Sequence, residues 1–421
     1  MTGRRVRSVS FDVSVPRFLL AKSVGRLTDA VLYGPLSGVS LGDRPALPLP
    51  GPDWLRLEVI FGGICGTDIG NLTYSASPAM EPFGSFPAVL GHEILGRVVE
   101  RGDDVSEVEV GQRVTVDPFI HCRVRGWAPE AWCGSCRDGR HATCENAGED
   151  GPQQIDGKAF APGTIQGYHR SLPGGWSTEV VVHRSQVFAV DDALSDRAAA
   201  LMEPLAIGMH AVLNTPITDP GAPALVLGSG PIALATIWAL RASGFEGEII
   251  GQIKRDHEAA LARSFGADTI IRPGDEARSA MVETGASAYM PLVGDEVWAG
   301  GGFPLIFDCV GSGQTLAQSL RYASPRGRIV MLGCAAELKK LDLTFVWARE
   351  IEVKGFTGYG RETFRGEERH TFDITHDLLI ESGAPVEDMV THVFPLAEAR
   401  RALAVAGNRR KWKSVKVLLE P

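Results

Sequence analysis

The sequence predicts an α/β protein in which an all-β, barrel-like unit is followed by a doubly wound parallel sheet. Three observations carry that expectation. From Ala30 to about Val182 the apolar runs are short and broken by Gly and Pro, the punctuation of strands rather than helices. From Ala224 the period changes, and buried-strand runs alternate with helical segments that close on glycine. At the chain's end Ser414-Val415-Lys416-Val417-Leu418 alternates again, as a strand returning to the first unit would.

Taken in order, residues 1–28 form an extension of undetermined structure. Strands are expected at Ala30–Tyr33, Leu55–Phe61, Ile94–Glu100, Arg113–Val116 and Val180–Val182. Between Phe119 and Gly175 the chain turns irregular and rich in Gly, Cys, His and Pro, and a loop that long needs a staple. Asp192–Leu213 reads as helical, interrupted by Glu203-Pro204. Ala224–Leu227 is a buried strand and Ile232–Ala242 an apolar helix ended by Gly244, with Pro231 in the first turn where its missing N–H costs nothing. A strand at Glu248–Ile253 and a helix at His257–Phe265 follow, the latter closed by Gly266. Strands at Leu305–Cys309 and Arg328–Leu332, with a helix at Thr315–Tyr322 between them, complete the alternation. The boundaries that result are an extension at 1–28, a first domain at 29–204 carrying a lobe at 119–148, a second domain at 205–355, and a return to the first at 356–421.

A length of 421 residues suits about two to three domains with substantial cores. Net charge is −9, from 42 basic and 51 acidic residues, which gives no overall attraction to nucleic acid or anionic membranes. The clusters Arg4-Arg5-Val6-Arg7 and Arg409-Arg410-Lys411 read as solvated ends. No apolar run approaches the roughly 20 residues that span a bilayer. Ser8 to Arg17 contains Asp12 and Pro16 and lacks a signal-peptide core. Of seven cysteines, four crowd into Cys122–Cys144, which suggests metal binding more than disulfides and places the protein in the cytoplasm.

Gly62-Gly63-Ile64-Cys65-Gly66-Thr67-Asp68 sets a thiol, a hydroxyl and a carboxylate on a glycine turn. Gly91-His92-Glu93 adds an imidazole and a second carboxylate, and Met202-Glu203-Pro204 a third acidic candidate. Zinc takes S, N and O ligands in a tetrahedron, and catalytic sites leave one position open. Each residue alone has an ordinary reading: Cys65 as a small buried hydrophobe, His92 as a hydrogen-bonded histidine, Glu93 as a surface charge, Glu203 as an acid favoured near a helix start. Together they are far more restrictive. Either Glu93 or Glu203 completes the set with Cys65 and His92. Cys122, Cys133, Cys136 and Cys144 form a second set, with Cys133-Gly-Ser-Cys136 as a Cys-x2-Cys knuckle; four thiolates in one loop read as a closed structural zinc without chemistry.

Gly228-Ser229-Gly230-Pro231-Ile232-Ala233 lies between a buried strand and a helix, so helix N–H groups there would face a pyrophosphate. Ala233 is an accepted third position, since it only allows close helix–strand packing. At the end of the next strand, Gly251-Gln252-Ile253-Lys254-Arg255 has no acid until Asp256. Lys254 and Arg255 suit a 2′-phosphate, which favours NADP(H) over NAD(H).

These motifs together resemble the zinc-dependent medium-chain alcohol dehydrogenases, over the chain from about Ala30 to its end. The resemblance implies a GroES-like catalytic domain followed by a Rossmann domain. Cys65-Gly-Thr-Asp and Gly-His92-Glu93 resemble the family's catalytic zinc motifs. Met202-Glu203-Pro204-Leu205 is similar to the segment of its third ligand, where polyol, threonine and glucose dehydrogenases carry Glu. Gly174-Gly175-Trp176-Ser177-Thr178-Glu179 resembles its Gly-Gly-Phe-Ala-Glu-Tyr stretch, and Asp308-Cys309-Val310-Gly311 and Gly327–Gly333 its later Rossmann strands. Two features depart from the family pattern: ten residues separate Cys122 from Cys133, and Gly70 stands where many members carry a proton-relay histidine. A homodimer or homotetramer is the implied assembly.

The implied chemistry is hydride transfer between an alcohol (polyol, sugar or secondary alcohol) or its carbonyl and NAD(P). Zinc supplies Lewis acidity that lowers the alcohol pKa. Thr67 is the candidate to take the alcohol proton by hydrogen bond, with Glu93, water or the cofactor ribose for onward transfer. Two other readings compete: a zinc-free quinone or enoyl reductase, which would lack both zinc motifs, and a non-catalytic NADP(H)-binding protein. The ligand set disfavours both.

Overall fold

The structure is a computed structural model that describes residues 4–146, 151–217, 219–334, 338 and 341–421; residues 147 and 148 of the expected lobe lie outside them. The chain divides into two compact units. One comprises Met1–Glu203, Tyr359–Arg361 and Glu387–Pro421, the other Pro204–Gly358 and Glu362–Val386.

The first unit begins with a strand that the sequence left open. β1 (Arg5–Phe11) buries Val6, Val9 and Phe11 and pairs antiparallel along β2 (Val39–Pro45), from Arg5↔Pro45 to Phe11↔Val39. Helix α1 (Val15–Val24) lies between them in the chain, with Pro16 in its first turn. Ala30–Tyr33 does not form the expected strand. A 3-10 turn at Asp29–Val31 takes its place, because the Thr28 Oγ1 accepts the Ala30 N–H at 3.2 Å and turns the backbone.

The other expected strands form as β3 (Trp54–Ile64), β5 (Ile94–Arg101), β6 (Arg113–Val116) and β7 (Glu179–His183), with α2 (Gly66–Leu72) directly after β3. β4 (Ala88–Val89) pairs with β1, and β8 (Val187–Ala189) with β6. Leu55, Leu57, Val59, Ile94, Val98, Val114, Val116, Val180 and Val182 pack together as this sheet's core. Each such side chain, once buried, contributes about 1.5–3 kcal/mol relative to exposure.

Past α3 (Met202–Leu213) the second unit alternates strand and helix: β9 (Ala224–Leu227), α4 (Pro231–Ala242), β10 (Ile249–Gln252), α5 (Asp256–Ser264) and β11 (Thr269–Ile271), then β12 (Phe303–Asp308), α6 (Gly313–Tyr322), β13 (Ala323–Met331) and β14 (Glu352–Gly355). All six strands run parallel, in the order β11-β10-β9-β12-β13-β14. That is the doubly wound order 3-2-1-4-5-6. Every residue of β9 is fully buried, as expected of a central strand covered on both faces, which is why its run is continuously apolar.

The chain then re-enters the first unit as β15 (Val390–Pro395) and β16 (Lys416–Glu420), the return expected from the alternating C-terminus. β16 pairs with β3, giving the order β8-β6-β5-β3-β16-β15 with β7 also on β3. Among the described residues no helix is long and apolar enough to cross a membrane.

Candidate metal and dinucleotide sites

Three strand ends build the first site. Register pairs Gly62 of β3 with Ile94 of β5, and Ile64 with Val417 of β16. Cys65, Glu93 and Lys416 therefore leave the sheet at one place. The ligand atoms of Cys65, His92 and Glu93 all lie within 4.8 Å of one another. Local bonds hold each in turn. The Cys65 N–H donates to Asp68 Oδ2 at 2.8 Å, closing the first turn of α2. Asp68 is fully buried, and its Oδ1 sits 3.6 Å from His92 Nδ1 and accepts the Tyr168 O–H at 2.6 Å. Tyr168 Oη is also 3.0 Å from Thr67 Oγ1. The single Tyr168 proton goes to the carboxylate, so the Thr67 hydroxyl donates to Tyr168 Oη. Burial, with the Asp68 and Cys65 charges, holds the Tyr168 phenol well above its usual range and so protonated.

Glu93 and Lys416 are each 1% exposed, and Lys416 Nζ donates to Glu93 Oε1 and Oε2 at 2.5 and 2.6 Å. Burial pulls the Lys416 ammonium down, but the Glu93 and Cys65 charges overcome it and leave it raised. The carboxylate fits because residue 63 has no side chain: a Cβ on Gly63 would stand 1.8 Å from Glu93 Oε2. Glu203, buried in the first turn of α3, accepts the Tyr359 O–H on Oε1 at 2.5 Å. Burial pushes its carboxyl up to about 7; His92 opposes that rise and Glu93 reinforces it. Glu203 is thus within electrostatic reach of the Cys65–His92–Glu93 group without belonging to its tightest cluster.

Cys122, Cys133, Cys136 and Cys144 form a second group, all unbridged. Cys122 Sγ lies 3.7 Å from Cys144 Sγ, and Cys133 Sγ 3.9 Å from it. Four sulfurs each about 2.3 Å from a tetrahedral zinc would lie about 3.8 Å apart, so this spacing fits that ion. N–H groups aim at the sulfurs: Cys136 N and Glu145 N at Cys133 Sγ, and Cys133 N and Asn146 Nδ2 at Cys122 Sγ. Thiol hydrogen bonds led by that from Cys136 bring Cys144 down to about 5. The ten residues between Cys122 and Cys133 leave the four-sulfur group intact.

In the second unit, Gly228 follows β9 at φ +129, and a Cβ there would meet Val310, Ala233 and Cys309 carbons at 3.2–3.5 Å. Gly230 caps α4 with no side-chain hydrogen bond, and Pro231 opens the helix. Ser229 and Ile232 lie in the same turn, so N–H groups of the first turn have no side-chain cap and suit an anion. At the end of β10, Gln252 pairs with the Gln318 amide. Arg255 binds the buried Glu258 at 2.5 Å, Asp256 binds Arg272, and Lys254 is exposed.

Comparison with known proteins matches residues 51–192 to the family described as alcohol dehydrogenase GroES-like domain and residues 231–371 to that described as zinc-binding dehydrogenase. A probable diacetyl reductase, (R)-acetoin forming, from Saccharomyces cerevisiae is 30% identical over 395 residues, covering 88% of this chain and 84% of the relative. The chain belongs to the zinc-dependent medium-chain alcohol dehydrogenase family. L-idonate 5-dehydrogenase from Vitis vinifera is 26% identical over 373 residues, 88% of this chain and 89% of that protein. A solved structure described as a zinc-binding dehydrogenase, from Sinorhizobium meliloti 1021 and bound to NADP, is 27% identical with a TM-score of 0.70, covering 99% of this chain and all of that one. This alcohol dehydrogenase is therefore an oxidoreductase that works with zinc and a nicotinamide dinucleotide on a small molecule.

For this dehydrogenase the sequence reading missed Lys416, Tyr168 and Tyr359 as parts of the first site. Lys416 carried a signal: a lysine inside an otherwise apolar returning strand is a buried charge in need of a partner. Tyr168 and Tyr359 carried none, since only the fold brings each to Asp68 and to Glu203.

Proposed function

We propose that this dehydrogenase interconverts a secondary alcohol flanked by oxygenated carbons, of the polyol or sugar type, with its ketone, using NADP(H). The observation that carries the proposal is the group of Cys65, His92 and Glu93 at one end of the β3 sheet, with ligand atoms within 4.8 Å and Glu203 in electrostatic reach of His92 and Glu93. Relatives named for diacetyl and L-idonate support that substrate class. Cys65, His92 and Glu203 are the three protein ligands, which leaves a fourth position open for the substrate oxygen. Glu93 is the carboxylate held back, because both its oxygens accept from Lys416. His92 Nδ1 faces Asp68, which leaves Nε2 as the ring nitrogen for the metal. Cys122, Cys133, Cys136 and Cys144 hold the structural ion.

Zinc, when bound, supplies the Lewis acidity that favours loss of the alcohol proton. Thr67 receives that proton's hydrogen bond: its own O–H is directed to Tyr168 Oη, so its lone pairs face outward as acceptors. Asp68 anchors this chain through Tyr168 and steadies His92 at the same time. Gly228, Ser229, Gly230 and the first turn of α4, including Pro231 and Ile232, cradle the pyrophosphate. Lys254 and Arg255 serve a 2′-phosphate, supported by the absence of a carboxylate on Gln252 and by the commitment of Asp256 and Glu258 to arginines.

A homodimer or homotetramer is the proposed assembly, supported by the exposed apolar residues Tyr289, Met290, Leu292 and Val293 beside the hairpin of Ser287–Tyr289 and Val297–Ala299. Four unbridged thiols suit the reducing cytoplasm. The decisive experiment measures metal content and turnover together. Wild type should hold about two zinc per chain, as two separate ligand groups require. Cys65→Ser and Glu203→Gln should each lose one zinc and activity, whereas Glu93→Gln should keep both zincs. Full turnover by zinc-free Cys65→Ser would refute the enzyme reading, and zinc loss confined to Glu93→Gln would exchange the two carboxylates. A panel of polyols, sugars and simple alcohols with both cofactors tests the substrate class.

A further inference from the structure

We propose that Tyr359 is a positioning residue for the Glu203 carboxylate, and that the four-cysteine lobe sets its place, so that metal in the lobe governs how firmly Glu203's ion is held. This rests on the reading of Glu203 as a ligand.

The chain makes an unusual excursion here. Residues before and after belong to the second unit, yet Tyr359–Arg361 belongs to the first. The first of the three is Tyr359, 1% exposed, whose O–H reaches Glu203 Oε1 at 2.5 Å. The Phe119 ring meets it edge-on at 5.5 Å and 72°, which restricts its rotation. A phenol facing a carboxylate oxygen at 2.5 Å is the donor. A donor on Oε1 fixes the carboxylate's rotation and leaves Oε2 for the metal. Partners of that kind typically affect metal affinity by 10–100-fold.

So short an excursion needs an anchor, and the lobe supplies it. The Arg361 N–H donates to Gly139 O at 3.1 Å. Gly139 stands at φ +74, and a Cβ there would meet three Arg361 side-chain carbons at 2.9 Å; a Cβ on Gly360 would meet Gly139 O at 2.9 Å. The two backbones are therefore in contact with no room between them. Gly139 in turn donates its N–H to Cys136 O at 3.2 Å, three residues after one lobe cysteine and five before the next. A path of direct bonds runs from Cys136 through Gly139 and Arg361 to Tyr359 and Glu203.

The test follows zinc release from the intact enzyme to a chromogenic chelator, with one phase expected for each site. Tyr359→Phe keeps the ring and removes the O–H; it should speed release from the catalytic site about 10–100-fold. Release from the lobe and the thermal midpoint should stay unchanged. Gly139→Val leaves every proposed ligand in place and breaks the clamp, and it should speed the same phase; Gly139→Ala serves if the larger side chain prevents folding. The double variant should release no faster than the quicker single, because both act on one path. Cobalt(II) in the catalytic site should show a shifted visible spectrum in Tyr359→Phe. Wild-type release and spectrum in Tyr359→Phe would overturn the proposal, as would additive effects in the double variant. If Glu203→Gln itself keeps both zincs, the ligand reading has failed; if Glu203→Gln loses one while Tyr359→Phe behaves as wild type, only the positioning role has.

Discussion

Lys416 and Glu93 show how a single pair can be costly and still retained. Both side chains are almost wholly removed from water, and their attraction has to offset a desolvation penalty of several kcal/mol per ion. Removing one partner leaves the other charge buried alone. Lys416→Met is therefore expected to destabilise the first unit by about 3–5 kcal/mol, read as a lowered midpoint in denaturant. Glu93, freed of its partner, should also compete for the metal, so the visible spectrum of cobalt(II) substituted into the proposed Cys65–His92 site should change in the same variant. A midpoint within about 0.5 kcal/mol of wild type, the range of ordinary surface substitutions, would show that the pair is solvated in solution. The proposed preference for NADP is testable at single residues as well. Arg255 is tied to Glu258 while Lys254 is exposed, so Lys254→Ala should raise KM for NADP at least several-fold and leave KM for NAD nearly unchanged. Equal effects on both cofactors would remove the 2′-phosphate from its role.

At the scale of elements, the candidate metal group of Cys65, His92 and Glu93 exists because β3, β5 and β16 end together. Cys65 follows β3, Glu93 precedes β5 and Lys416 opens β16, and pairing of the three strands brings these positions together. The alignment leaves no space at the end of β3. Gly63 accepts the Glu93 carboxylate into the volume a side chain would fill, while its N–H donates to Glu93 O and its C=O accepts from Trp176 Nε1. Gly63→Ala should still fold, with a cost of about 1–3 kcal/mol for the overpacked methyl. It should nonetheless displace Glu93 and lower kcat, with KM for the dinucleotide unchanged. Wild-type kcat in that variant would mean that the strand end can relax.

On the scale of the whole molecule, the two compact units carry different candidate sites. Both candidate metal groups among the described residues of a single unit, Cys65–His92–Glu93 and the four cysteines, lie in the first, and the glycine turn of the dinucleotide lies in the second. Folding free energy supplied by metal should appear in one unit only. A strong chelator is expected to lower the thermal transition of the first unit and leave the second near its original temperature, since structural zinc is worth about 10–16 kcal/mol in small peptides. NADP at about 100 times its Kd should raise the second transition by the equivalent of about 2.7 kcal/mol. A single transition that responds to both would show that the units unfold as one.

How much could be read in advance follows from the range of the forces involved. Local patterns carried the architecture: the continuous apolar run of β9, Pro231 at the helix start and the alternation around Lys416 are all visible within a few residues. The ligand types were legible too, because Cys, His and acid in motif spacing restrict chemistry wherever they fold. Ala30–Tyr33 was misread for the same reason, since Thr28 offered its hydroxyl to Ala30 N and competed with strand pairing that only distant residues could have provided. Contacts across long separations were out of reach. Tyr168 on Asp68, Tyr359 on Glu203 and Lys416 on Glu93 join residues 100, 156 and 323 positions apart. The sequence by itself determined which metal, which cofactor class and which fold; only tertiary structure distinguishes the two carboxylates on which the proposed ligand set turns, because packing alone puts a lysine on Glu93 and a tyrosine on Glu203.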